Sequence, residues 1–375
     1  FVGSLVAVLV MCLLPNAGSF GMAVSTAMIF GLVSLMFLDT SINMAMQPFK
    51  MMVGDMVNEK QKGLAYSIQS FLCNAGSLVG FLFPFIFTWI GISNIAPQGV
   101  VPDSVIYSFY IGATILILCV IYTTVKVKEM PPAEYAEYHG ITEEEKKEKI
   151  NMVKLLVKAP KAFWTVGLVQ FFCWFAFMFM WTYTNGSVAA NVFDAPTVET
   201  VVNGANKVVL DTKSIQYQNA ADWVGVLFAV QAIGSVLWAV CIPMFKNRKL
   251  IYSLSLVLGG IGFISTYFVH NQYVLFISFL LIGCAWAAMP ALPFTILTNA
   301  LSGGHMGTYL GLFNGTICIP QIVAATLGGS ILALFTPKGM LPPEINMLVM
   351  AGVMLIIGAV CVYLIKETKG EQAKA

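Results

Sequence analysis

Long apolar stretches separated by brief polar breaks run the length of the chain. They cover Phe1–Pro15, Phe20–Phe49, Leu64–Ile92, Val105–Val125, Ala162–Thr184, Trp223–Phe245, Leu250–Val269, Tyr273–Leu301, Tyr309–Phe335 and Ile345–Ile365. A helix needs about 20 apolar residues to cross roughly 30 Å of hydrocarbon, so the stretches predict an all-α polytopic membrane protein of about ten spans. One break differs in kind. The segment EMPPAEYAEYHGITEEEKKEKINMVKLLVKAP is densely charged and carries prolines, and it parts four spans from six. It predicts a first helical half over 1–126, a cytoplasmic linker over 127–161 with one amphipathic helix at the membrane surface, a second half over 162–366, and a tail over 367–375. Residues 185–222 are small and polar, which predicts a long external loop acting as a mobile cap. Phe1 lies inside an apolar stretch, so the first span is expected to be incomplete and further spans to precede it.

Composition agrees with the spans. Hydrophobic residues make up 58% of the 375 and charged residues 10%, against roughly 25% charged in soluble domains. The net charge of +2 matters less than where the charges sit. Lys50, Lys60, Lys62, the cluster from Lys126 to Lys161, Lys246, Arg248, Lys249, Lys366, Lys369 and Lys374 fall on one side, and only Lys207, Lys213 and Lys338 on the other. The excess of basic residues marks the cytoplasmic side, which puts the C-terminus inside. All eight cysteines lie within apolar stretches, so neither a disulfide framework nor a thiolate metal site is expected. No Walker loop, HExxH, GxSxG or dinucleotide fingerprint occurs, and His139, His270 and His305 lie in or beside loops. The expectation is therefore no enzyme, no metal, no cofactor and no nucleic-acid partner. The partners are the lipid bilayer and a small molecule, and the chain is a monomer.

Chemistry concentrates in polar stripes on apolar helices. Asp39, Asn43, Gln47 and Lys50 recur at steps of about four and three, along one face of the second span. Asp39 lies about 15 Å from the cytoplasmic edge, near the midplane, where an ionised carboxylate costs roughly 2.5–3.5 kcal/mol. Two readings follow: a functional carboxyl at the depth where transporters bind cargo and coupling ions, or a carboxyl retained for structure. In the next span Ser67, Ser70, Asn74 and Ser77 share a face, and Gly76 and Gly80 read as helix packing. Beyond the linker, Gln170, Trp174, Phe177 and Trp181 form an aromatic stripe. Such a stripe serves as core or lipid contact, or as a sugar platform on which indoles stack against C–H faces while an amide bonds hydroxyls. Gln231, Trp286, Asn314 and Gln321 add midspan polar groups, and Pro290, Pro293 and Pro320 interrupt their helices and free backbone groups.

Leu38-Asp39, Asn43, Pro48, Lys50 and Gly54-Asp55 resemble the fourth-helix signature of sucrose–proton symporters and their glycoside-pentoside-hexuronide relatives, roughly LDxxxNxxxxPxRxxxxD. The resemblance continues through Gly76 and Gly80, LVQFFCWFAFMFMWTYT, WAAMPALPF and GTYLGLFNGTICIPQIV. It implies a major facilitator fold of two six-helix halves, with the family's first two helices preceding Phe1. It further implies that Asp39 carries the coupling proton and that Lys50 and Asp55, with Lys62, form a cytoplasmic gate. Asn43, Gln47, Asn74, Gln170, Trp174, Gln231, Trp286, Asn314 and Gln321 are the substrate-binding candidates. Plant sucrose carriers show charged residues where this chain has Thr184, Asn185, Ala189 and Ala190. The resemblance is therefore to bacterial carriers of maltose or related α-glucosides, and it implies proton-coupled import of a disaccharide. Sodium coupling, or a non-transporting sugar sensor on the same fold, is the alternative.

Overall fold

The computed structural model describes residues 1–57, 59–92, 101–128, 131, 134, 152–202, 205–245, 247–300, 306–337 and 339–365. Every apolar stretch is helical. Among the described residues, eight helices have the length and composition to cross a membrane, and two shorter apolar ones cover Val2–Gly18 and Phe71–Phe83. The chain is an all-α, multi-pass membrane protein. It divides into two compact units, residues 1–69 with 79–148 and residues 70–78 with 149–375.

In the first unit α1 (Val2–Leu13) packs on α2 (Val24–Met56) and on α4 (Asp103–Lys126), while α3 (Glu59–Trp89) contributes its two ends. Among the described residues, Ser4, Ala7, Pro15, Ser34, Ser41, Ser104 and Ala113 are buried here. Small side chains let helix backbones approach where lipid supplies no hydrophobic drive. Asn16 donates from Nδ2 to the Tyr110 hydroxyl at 2.7 Å, which ties the turn after α1 to α4.

The second unit holds the larger core. After the short α5 (Met152–Val157) come α6 (Lys161–Asn191), the strands β1 (Thr197–Val202) and β2 (Ala205–Leu210), α7 (Ile215–Cys241), α8 (Arg248–Ser265), α9 (Leu275–Ala300), α10 (Met306–Phe313), α11 (Gly315–Phe335) and α12 (Ile345–Cys361). The close pairings are α6 with α12, α9 with α7 and α8, and α8 with α12. Val166, Val169, Phe177, Phe179, Leu256, Phe263, Ile282 and Leu355 are among the side chains buried between them. The span from Tyr309 to Phe335, expected as one helix, breaks at Asn314. There the Thr316 hydroxyl takes the Phe313 carbonyl at 2.7 Å and the Ile317 amide bonds the Asn314 carbonyl at 3.0 Å, a tighter turn than an α-helix makes.

The loop expected over 185–222 is largely ordered structure. The helix α6 runs on to Asn191, β1 and β2 form an antiparallel hairpin pairing Thr197 with Leu210 through Val202 with Ala205, and α7 starts at Ile215. Ser214 caps α7 by accepting the Tyr217 amide at 3.2 Å. Both strands are rich in β-branched residues (Thr197, Val198, Thr200, Val201 and Val202, then Val208 and Val209), which suit a pleated surface.

Two glycines set how α9 sits on α7. A Cβ on Gly234 would stand 2.6 Å from the Leu280 carbonyl oxygen, and one on Gly283 would overlap the Gln231 carbonyl. This crossing fixes the rotation of α9 and with it the direction of Trp286. Gly283→Val is expected to lower stability by roughly 1–3 kcal/mol through overpacking, measured as a reduced melting temperature of the purified protein. An unchanged melting temperature contradicts the crossing.

Candidate functional site

Polar chemistry and aromatic rings meet where α6 faces α9. Trp174 is the fourteenth residue of the 31-residue α6, and Trp286 is the twelfth of the 26-residue α9, so both lie near mid-helix. Their rings meet edge-on with centroids 5.9 Å apart. Trp181, two turns beyond Trp174, meets Trp286 at 5.9 Å and Trp174 at 6.5 Å. Phe177 closes the group at 5.1 Å from Trp286. Three indoles and a phenyl thus share one site, placed by steps of three and four residues along α6.

One turn before Trp174, the fully buried Gln170 donates from Nε2 to the Met289 carbonyl in a long hydrogen bond of 3.4 Å. The Met289 carbonyl has no ordinary helical partner, because the residue four places on is Pro293, which has no N–H. The proline therefore creates the acceptor that holds the glutamine. Gln170 Oε1 and Trp174 Nε1 are both buried without a hydrogen-bond partner. A buried polar atom left unpaired costs about 1–3 kcal/mol. An unmet acceptor and an unmet donor one turn apart, flanked by indole faces, match a ligand with hydroxyl groups and apolar C–H faces.

The remaining substrate-binding candidates lie elsewhere. Asn74 is buried and accepts the Ser235 hydroxyl at 3.1 Å. Gln231 is buried on α7 at its crossing with α9. Asn314 sits at the α10–α11 break with its amide toward Cys318, and Gln321 is half-buried on α11. Among the described residues, no ring contact or hydrogen bond joins Gln231, Asn314 or Gln321 to the indole group. Asp39, the sixteenth of 33 residues of α2, carries an exposed carboxylate that accepts from Asn43 Nδ2 at 3.2 Å. Packing inside its own unit leaves Asp39 exposed, contrary to expectation. The face of α2 that meets α1 carries Ser41, where Gly3 approaches the Ser41 carbonyl, and Asp39 points about 200° away from it. The side chains of Gln47, Lys50, Asp55 and Lys62 lie outside the described residues.

Comparison with known proteins places this arrangement. Residues 195–375 match the profile of the Major Facilitator Superfamily. The major facilitator transporter FucP in its outward conformation superposes with a TM-score of 0.65 at 11% identity, covering 98% of this chain and 82% of its own. The chain has the major facilitator fold. A second structure, the E. coli fucose:proton symporter FucP (N162A), gives a TM-score of 0.60 at 12% identity over 98% of this chain and 84% of its own. A bacterial homologue of the human lysosomal transporter Spinster, inward-facing and unoccupied, gives 0.52 at 14% identity over 97% and 80%. No curated protein matches in sequence. One further polar group stands apart from the predicted stripes: Glu344, a half-buried carboxylate at the entry to α12. The signal was there, an acidic residue directly after Pro342-Pro343 at the head of an apolar span.

Proposed function

We propose that this chain is a proton-coupled symporter that imports a disaccharide, maltose or a related α-glucoside, by alternating access. The observation that carries the reading is the pair of unmet polar atoms, Gln170 Oε1 and Trp174 Nε1, beside the indoles of Trp174, Trp181 and Trp286. A pyranose brings both what those atoms lack and what those rings prefer: hydroxyls for hydrogen bonds and C–H faces for stacking. Two neighbours in fold are structures of FucP, one described as a fucose:proton symporter, which supports a sugar as cargo and a proton as the coupling ion.

Asp39 carries the proton in this reading. It is the acidic residue at the middle of its helix, and in alternating access such a midspan group is offered to each side in turn. Asn43 steadies the carboxylate. Sugar and proton must favour the same closed state for their movements to couple. Lys50, Asp55 and Lys62 are assigned to the cytoplasmic gate, and Asn74, Gln231, Asn314 and Gln321 to later contacts as the cavity closes. The test is uptake of a panel of mono- and disaccharides into proteoliposomes under an imposed pH gradient. An α-glucoside accumulates, and a sodium gradient alone drives none. Failure of every glycoside overturns the reading.

A further inference from the structure

Glu344 sits where α12 begins, one residue before the apolar span opens. Its carboxylate presses so closely on the buried Gly186 of α6 that a Cβ there would overlap the carboxyl group. Among the described residues no hydrogen bond or ion pair reaches it. The titratable group that faces it is Tyr183, one turn earlier on α6. The ionisable residues of the other helices packed on α12 (Arg248, Lys249 and Tyr252 on α8, Cys318 on α11) belong to the far ends of those helices. Tyr267 and His270, in the turn after α8, are exposed. Burial with no compensating cation raises the Glu344 carboxyl from 4.5 to about 7. A small cleft of about 10 Å³ lined by Ser187, Asn191, Thr266, Ile345 and Leu348 borders the same turn.

We propose that Glu344 is a pH-sensitive latch: as a neutral acid it holds the head of α12 against Gly186 of α6, and as a carboxylate it leaves that contact and loosens this end of the unit. A neutral carboxyl tolerates the apolar seat, whereas an unpaired charge there demands water. The carboxyl is harder to ionise in the folded than in the unfolded chain. The stability of the contact is therefore complete below about 4.5 and lost as pH rises through about 7. The device is independent of the cargo, so its test contains no sugar.

Hydrogen–deuterium exchange of the full chain in detergent, at pH 6 and pH 8.5 and corrected for the intrinsic pH dependence, reads the latch. In the wild type, exchange across residues 183–191 and 344–350 is expected to rise about tenfold or more at the higher pH, the factor carried by one pKa unit. Glu344→Gln, which cannot ionise, keeps the slow rate at both pH values, and Glu344→Met must behave likewise. Gly186→Ala expels the carboxyl from its seat and gives fast exchange at both. A wild type with no pH dependence in these segments, or uncharged variants that retain it, overturns the latch.

Discussion

Asp39→Asn abolishes proton-driven accumulation of sugar while leaving sugar-for-sugar counterflow intact. A gradient of one pH unit stores about 1.4 kcal/mol per proton, enough to hold a roughly tenfold sugar ratio at one-to-one coupling. The asparagine cannot bind the proton, so the ratio in the variant falls to one, although the sugar still crosses. Counterflow needs the halves to alternate but draws on no proton gradient, which makes it the internal control. Full accumulation in Asp39→Asn removes the residue from the coupling path. Loss of both activities, with the melting temperature unchanged, assigns Asp39 to sugar binding or to the conformational change instead. Asn43→Ala, which removes the hydrogen bond to the carboxylate at 3.2 Å, is expected to weaken coupling without abolishing it.

The second large effect belongs to Trp174 and Gln170. An aromatic contact of this kind contributes about 0.5–1.5 kcal/mol beyond area burial, and a neutral hydrogen bond about as much. Trp174→Ala removes both an indole face and the donor Nε1, so affinity for the cargo is expected to fall roughly 5- to 150-fold. Trp174→Phe keeps a ring and loses only the donor, so its loss is smaller. Gln170→Ala frees the Met289 carbonyl as well as removing Oε1, and should weaken binding about as much as Trp174→Phe, roughly 2- to 13-fold. Equilibrium binding followed by tryptophan fluorescence distinguishes these outcomes. The three mutants with wild-type affinity and ordinary stability would return the aromatic group to a purely packing role.

The helices were readable in the sequence because span length is a strong one-dimensional signal: the apolar stretches are helical, with ends shifted by several residues and one, Tyr309–Phe335, divided at Asn314. The Gln170–Trp174–Trp286 grouping was half-readable. Gln170, Trp174 and Trp181 share a face by helical spacing, but Trp286 reaches them only through the turn of α9 that Gly234 and Gly283 impose, and no local pattern encodes that rotation. Asn74, Gln231, Asn314 and Gln321 looked equivalent as midspan amides, yet the tertiary packing sends them to different neighbours. The strands at 197–202 and 205–210 were not read from the sequence, because the small polar residues around them outweigh the β-branched run Thr197, Val198, Thr200, Val201 and Val202. Glu344 was missed because it stands at a helix boundary, where a carboxylate is ordinarily solvated; only the approach of Gly186 gives it an apolar seat.

The coupling of cargo to protons is tested most directly by adding maltose to proteoliposomes in weakly buffered medium with no imposed gradient and recording external pH. The account predicts that inward sugar flow alkalinises the medium, that the signal disappears when a protonophore is present, and that Asp39→Asn shows none. Sugar entry with no proton movement in the wild-type protein would contradict it.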